Sequence, residues 1–223
     1  DEMGFYMTMR RTRGRAPRGE RAVVPTPPQS NLSYKLELAL VVHPVFGIVH
    51  AKQFPPEKKK RPGKKEATFK GTWDGAHFRA YIDELFDVLL TKWKAEIKGK
   101  TVVLVLDGAP QHGSPNMANV LKELSNTARL CEYLTTTGGK LSVSQMVANS
   151  PQLNLCEYYN RSIRAHANRE RHNPTTATDL LTNAARGQVI QHRIDVLSSI
   201  VSKAVTTVTH HGAQPSSLLC WKD

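Results

Sequence analysis

The stretch Thr101-Val-Val-Leu-Val-Leu-Asp-Gly-Ala-Pro-Gln-His112 decides how the rest of the chain is read. Thr101 to Leu106 are β-branched and aliphatic, with no polar face. That pattern predicts a strand buried on both sides, in the middle of a parallel or mixed sheet. Asp107 ends the run, and Gly108, Ala109 and Pro110 stop it from continuing. A carboxylate at the carboxyl end of a central strand lies where open α/β sheets bind ligands. On these residues alone, Asp107 is equally a turn cap.

Upstream, Asp74 can cap a helix running to about Ile97. Its apolar stripe is Phe78, Tyr81, Ile82, Leu85, Phe86, Leu89, Leu90 and Trp93 at three- and four-residue steps. Tyr34 to Val42 and Gly47 to Phe54 predict two strands of a hairpin. Downstream, Ser114-Pro115 is an N-cap followed by proline at the first helical position, with the helix continuing through Val120, Leu121 and Leu124. Ala128 to Leu134 is expected to be a short buried strand. Thr135 to Asn149 opens with Thr-Thr-Thr-Gly-Gly and is expected to be a polar insert, whether loop, lid or short helix. Asn154 starts a helix that carries Glu157, Tyr158 and Ile163. Thr175 to His210 is a long helical stretch broken near Gly187, with Val189, Ile190, Val196, Leu197, Ile200, Val201, Ala204 and Val208 as its apolar stripe. Residues 213–223 form a tail after a domain expected to cover 1–212.

The charge is unevenly placed. The net formal charge is +12, and residues 1–70 hold 15 Lys and Arg against 6 Asp and Glu, a net of +9. Arg10 to Arg21 carries six arginines broken by Gly14, Pro17 and Gly19, a loop or loose hairpin whose guanidiniums suit phosphate oxygens. Residues 55–70 centre on Lys58-Lys-Lys-Arg-Pro-Gly-Lys-Lys65 and are expected to repel one another and stay flexible. Such asymmetry points to a polyanion, most simply nucleic acid, with a solvated surface as the alternative. No run approaches the roughly 18 to 20 apolar residues needed to span a bilayer. The three cysteines, Cys131, Cys156 and Cys220, are too few and too scattered for a disulfide framework, and none forms a Cys-x-x-Cys pair. Cys131 and Cys156 lie in apolar contexts and are expected to fill core space in a protein of a reducing compartment.

Four segments together carry a family resemblance. Asp107-Gly-Ala-Pro-Gln-His112 resembles the second-carboxylate motif Asp-Asn-Ala-x-x-His of the DDE transposase superfamily, in its Tc1/mariner and IS630 branch. Ser150-Pro-Gln-Leu-Asn-Leu-Cys-Glu157 resembles that family's Ser-Pro-Asp-Leu-Asn-Pro-Ile-Glu. Asp1-Glu2 resembles the pair holding the first carboxylate, and Arg11 to Arg21 the basic hairpin after it. The chain departs from the pattern at Gly108 (usually Asn), at Leu155 (usually Pro), and in the 49 residues between Asp107 and Glu157. In the family the first Asp ends a strand. Here almost nothing precedes it, so Met3 to Met9 substitutes for that strand, or the strand is lost, or the natural chain extends upstream.

The resemblance implies a ribonuclease-H-like mixed sheet flanked by helices. It further implies a metal-dependent DNA endonuclease or transposase that cuts phosphodiester bonds and joins DNA ends. Its catalytic and metal-binding residues would be Asp1, Asp107 and Glu157, holding two magnesium or manganese ions, with His112 and Asn154 as accessories. Double-stranded DNA would lie against Arg11, Arg13, Arg15, Arg18, Lys58, Lys59, Lys60, Arg61, Arg161 and Arg164. A homodimer within a nucleoprotein complex is the expected assembly. The nucleus (or the cytoplasm, in a prokaryote) is the expected location. The alternative is a catalytically inactive DNA-binding protein derived from a transposase.

Overall fold

The computed structural model describes residues 1–6, 17–20, 35–60, 67–70, 73–108, 117–147, 153–171, 173, 176 and 189–211. A three-stranded sheet has the order β1-β2-β3, with β1 over Glu2–Tyr6, β2 over Lys35–His43 and β3 over Gly47–Phe54. Asp1 already belongs to its ladder: Asp1 and Leu40 exchange both backbone hydrogen bonds, at 2.9 and 3.1 Å. That reciprocal exchange marks antiparallel partners. The expected hairpin forms across Pro44–Phe46. His43 Nδ1 accepts from the Val45 and Phe46 amides at 3.2 and 3.3 Å, and Gly47 takes a φ of +74° to re-enter the sheet.

β2 is the strand buried on both faces. Leu36, Leu38, Ala39 and Leu40 are sealed from solvent, and buried Glu37 is ion-paired with Lys35. The sequence assigned that role to Thr101–Leu106. Those residues do form a strand, β6, but it alternates: Leu104 and Leu106 are buried while Val103 and Val105 are half exposed. Five aliphatic residues and a threonine with no polar face predict two buried faces, and among the described residues only one face is covered.

The basic run of residues 55–70 also differs from expectation. β4 (Glu57–Lys60) and β5 (Ala67–Lys70) pair antiparallel, from Glu57↔Lys70 to Lys60↔Ala67. Ladder hydrogen bonds outweigh the repulsion that suggested a flexible loop.

Asp74 caps α1 (Gly75–Thr91) as expected, accepting from the Ala76 and His77 amides at 3.0 Å each. A short α2 follows (Lys94–Ile97), then β6, then α3 (Met117–Lys122). Residues 114 and 115 lie outside the described set. Residues 128–134, expected as a strand, belong instead to helix α4 (Ser125–Thr136). Leu130 and Leu134, four apart, are its fully buried pair. Its start is capped from α1. Asp83 Oδ1 accepts the Asn126 amide at 2.8 Å, and Asp83 Oδ2 accepts the Ser125 hydroxyl at 2.6 Å.

The glycine pair that seemed to open an insert is the stop signal of this helix. Gly138 sits at φ +87°, with Gly138 N→Thr135 O at 3.0 Å and Gly139 N→Leu134 O at 2.7 Å, the paired bonds of a Schellman motif. A Cβ on Gly139 would run into the Lys100 carbonyl, so the strand that follows needs glycine at its entry. That strand, β7 (Lys140–Gln145), pairs parallel with β6, Thr101↔Lys140 through Leu106↔Gln145. The expected insert therefore supplies a sheet strand, and β6-α3-α4-β7 is a strand–helix–strand crossover.

Asn154 begins the next helix as expected. α5 runs over Leu155–Arg171, and Asn154 Oδ1 accepts the Cys156 amide at 3.0 Å. The last helix, α6, spans Val189–His211 and buries Ile194, Leu197, Ile200, Val201, Ala204 and Val208. Residues 177–188, with the break expected near Gly187, and the tail 213–223 lie outside the described residues.

The contacts divide the chain into two compact units. The first (1–3, 39–52 and 72–160) has a core of Phe78, Ile82, Leu85, Phe86, Leu130 and Leu134. The second (4–38, 53–71 and 161–223) is built on Phe5, Leu36, Leu38, Ile163, Ile194 and Val201. Among the described residues, no helix is long and apolar enough to cross a membrane.

Candidate active site

Asp1, Asp107, Asn154 and Glu157 all belong to the first unit. The half-buried Asp1 side chain is held by three N–H donors. Its Oδ1 accepts the Glu2 amide at 2.9 Å, and its Oδ2 accepts Asn154 Nδ2 and Asn160 Nδ2, each at 3.0 Å. Hydrogen bonds to an ionised oxygen are among the stronger neutral-to-charged contacts, so this carboxylate is fixed in place.

The two asparagines are spaced around Glu157. Asn154, Glu157 and Asn160 follow one another at three-residue steps, and residues three apart on a helix lie on the same side. Glu157 is half-buried in the first turn of α5, where a negative charge is favoured by the helix dipole. The Asp1 carboxylate is therefore tied to the helical ridge that carries Glu157. Asn160 was missed from sequence. The available signal was a polar residue three positions past Glu157, within the mostly buried series Tyr159, Asn160, Ile163 and Ala167.

Asp107 follows β6 directly and is half-buried, beside the end of β7, where Met146 N donates to Leu106 O at 2.8 Å. Among the described residues, no group of three or more His, Cys, Asp or Glu side chains is gathered closely enough to hold a metal ion. Asp1, Asp107 and Glu157 thus occupy two strand ends and a helix start without forming a closed three-carboxylate cluster. His112 lies outside the described residues. Cys156 behaves as a core filler: burial pushes its thiol pKa up, and its Sγ lies 3.8 Å from the Leu40 carbonyl.

A hard cation prefers oxygen ligands. Asn160 Oδ1 is buried and accepts no hydrogen bond, and it is the amide nitrogen of Asn160 that meets Asp1. The carboxylates of Asp1, Asp107 and Glu157 are oxygen ligands of the kind magnesium or manganese takes, while the groups that meet Asp1 in this structure are N–H donors.

The basic residues are distributed over several elements. Arg18 is exposed at the tip of the turn Pro17–Glu20, which is closed by Glu20 N→Pro17 O at 3.0 Å with Gly19 at φ +93°. Arg11, Arg13, Arg15 and Arg61 lie outside the described residues. Lys58, Lys59 and Lys60 make up most of β4. Arg161 and Arg164 are exposed on α5, opposite its buried Tyr159, Ile163 and Ala167.

A mixed α/β chain with these elements has a ribonuclease-H-like fold. It matches the Mos1 mariner paired end complex with Mn at 17% identity and a TM-score of 0.50, over 93% of this chain and 54% of that one. It matches a pre-cleavage Mos1 transpososome at 15% identity and a TM-score of 0.50, over 92% and 54%. The chain spans about half the length of these solved chains, and at such identity the likeness is one of fold. No family model and no curated protein matches it.

Proposed function

We propose that the chain is the catalytic domain of a mariner-type DNA transposase, a metal-dependent endonuclease that cuts phosphodiester bonds and joins DNA ends. The observation that carries this reading is the tie from Asp1 to Asn154 and Asn160, which flank Glu157 at three residues on either side. It ties Asp1 to the helix that carries Glu157, a second of the three carboxylates that the sequence singles out. The third, Asp107, comes from the end of β6.

In this reading Asp1, Asp107 and Glu157 hold the cations. Bound divalent ions supply an activated water and neutralise charge on the phosphodiester oxygens. Asn154 does two things with one side chain, capping α5 and steadying Asp1. Arg161 and Arg164, one and two turns beyond Glu157 on the same helix, take the DNA phosphates together with Arg18 and the β4–β5 ribbon. The Mos1 structures are a paired end complex with Mn and a pre-cleavage transpososome, and this supports DNA and a divalent cation as ligands.

A second reading, a DNA-binding protein without catalysis, is favoured by the absence of a three-carboxylate cluster among the described residues. Manganese-dependent nicking of supercoiled plasmid separates the two. Wild type should nick, and Asp107→Asn and Glu157→Gln should each abolish nicking while DNA binding persists. Wild type that binds DNA but never nicks establishes the second reading. Nicking by Glu157→Gln at the wild-type rate removes Glu157 from the site.

A further inference from the structure

The tip of the β2–β3 hairpin carries two of three aromatic rings that form a row, all within the first unit. His43 stacks on Phe46, with ring centroids 4.7 Å apart and planes 24° from parallel, and Trp93, just past α1, tilts against Phe46 at 5.2 Å. The row stands at the surface: His43 is exposed, Phe46 is 45% exposed, and Val45 beside it is 79% exposed. It is also held in place. His43 Nδ1 accepts the two turn amides of Val45 and Phe46, which fixes the ring and leaves the proton on Nε2. Burial first, and then the Lys100 charge, lower the pKa of His43, so the ring stays uncharged at neutral pH and keeps accepting those amides.

Lysines lie beside the rings. Residues 92–100 hold four lysines against one glutamate. Lys94 turns toward α4, its Nζ 5.1 Å from the centre of the Tyr133 ring, while Lys92, Lys98 and Lys100 are exposed. Exposed rings among cations complement a chain that repeats a flat face and a negative charge, which is the chemistry of single-stranded nucleic acid. A duplex would offer its phosphates to the lysines, but its base faces are stacked inside and give the rings nothing. This end of the unit is not the carboxylate site. Lys100 precedes β6 and Asp107 follows it, and a strand of six residues at about 3.3 Å each sets them about 20 Å apart.

We propose that the hairpin tip and the turn before β6 bind single-stranded nucleic acid, a base stacking on the row of His43, Phe46 and Trp93 and the flanking phosphates meeting Lys92, Lys98 and Lys100. Neither the carboxylates nor a cation enters this contact, so it stands apart from the transposase reading. The fixed His43 ring loses little freedom when a base stacks on it, which lowers the cost of binding.

The test uses the whole chain and a fluorescein-labelled oligothymidylate, followed by fluorescence anisotropy, with a duplex of the same length measured alongside. Phe46→Ala should weaken oligothymidylate binding about fivefold or more while duplex affinity stays within twofold of wild type. Phe46→Trp should bind oligothymidylate at least as tightly as wild type. Lys98→Ala with Lys100→Ala should make the slope of log K against log[salt] for the oligothymidylate shallower by about 0.7 unit per lysine. Phe46→Ala that leaves oligothymidylate affinity within twofold of wild type overturns the proposal, and so does an equal loss on duplex and single strand. A second measurement needs no substitution: an oligothymidylate carrying 5-iodouracil is crosslinked to wild type by near-ultraviolet light and the site is read by mass spectrometry. Crosslinks at His43, Phe46 or Trp93 support the proposal, and crosslinks confined to β4–β5 or α5 overturn it. A Glu-Leu repeat peptide that displaces the oligothymidylate at a lower concentration than unlabelled oligothymidylate does would assign the tip to an acidic protein partner and overturn it as well. Wild type that nicks plasmid but gives no crosslink at the tip defeats this proposal and leaves the transposase reading standing.

Discussion

Replacing Asp83 with alanine tests how α4 is held, because its cap comes from another helix. No side chain at the helix's own N-cap, Leu124, bonds its first turn. Asp83 on α1 takes that place, accepting the Asn126 amide at 2.8 Å and the Ser125 hydroxyl at 2.6 Å, while its own carbonyl accepts Asn126 Nδ2 at 3.0 Å. The last bond uses the backbone and survives substitution. Loss of a side-chain cap costs about 0.5–2 kcal/mol. Two bonds to a carboxylate oxygen pair put Asp83→Ala near the upper end, at about 2 kcal/mol, even though Ser125 is exposed and finds water instead. For a chain of this size that corresponds to a Tm drop of roughly 4–8 °C. Asp83→Asn keeps an acceptor for the Asn126 amide and should lose less than half as much. The assay is thermal and urea denaturation of the three proteins, with hydrogen exchange read at the Asn126 amide. Exchange there should quicken in Asp83→Ala ahead of global unfolding. An alanine variant that melts within 1 °C of wild type with unchanged Asn126 exchange would refute a cap supplied across helices.

Other outcomes follow from the same structure. His50 stacks on Tyr81 at 4.9 Å, and burial lowers its pKa against the opposing pull of Glu84. A histidine whose folded pKa is depressed adds stability above its unfolded pKa of 6.5, and loses it as pH falls through the folded value. Wild type should therefore lose more stability than His50→Phe between pH 7 and pH 5 in urea titrations, and equal losses would contradict this. Gly138→Ala forces a Cβ into the left-handed region and should cost about 1 kcal/mol in denaturant unfolding; no loss would mean that the helix ends differently. Arg161→Ala with Arg164→Ala should weaken binding to all duplex sequences alike. The slope of log K against log[salt] should become shallower by about one unit per arginine, and an unchanged slope would take α5 out of the DNA contact.

What could be read from sequence was what depends on neighbours in the chain. The Asp74 cap, the hairpin around Pro44–Phe46 and the Asn154 start of α5 are all local and stand where expected, while the stripe of α1 is buried from Phe78 to Phe86 and the helix ends at Thr91 rather than near Ile97. The failures are non-local. Residues 128–134, expected as a short buried strand, lie in α4. They form a helix because Leu130 and Leu134 sink into the core and Asp83, some 40 residues earlier, caps it. Gly138-Gly139 read as the opening of an insert because glycine marks both loops and helix ends. The backbone bonds to Thr135 and Leu134, and the close approach of Lys100, decide for a helix end followed by a strand. Likewise the composition of β6 suits a strand buried on both faces, and composition does not report whether anything covers the second face.

The candidate site divides along the same line. Asp1, Asp107 and Glu157 were found by their resemblance to spaced motifs, which mark residue type and order. Asn160 falls in no motif, and its place emerged from two distances and one unpaired atom. The spacing Asn154–Glu157–Asn160 has a helical period, yet it gains meaning only through the contact of Asp1 with that ridge, made between positions 153 apart in the chain. A motif lists the groups that meet a ligand. The second layer that orients them is set by packing, and asparagine suits it because one planar amide offers a donor and an acceptor at once. Here the donor ends of both amides converge on one carboxylate oxygen; one acceptor end caps a helix, and the other is buried without a hydrogen bond.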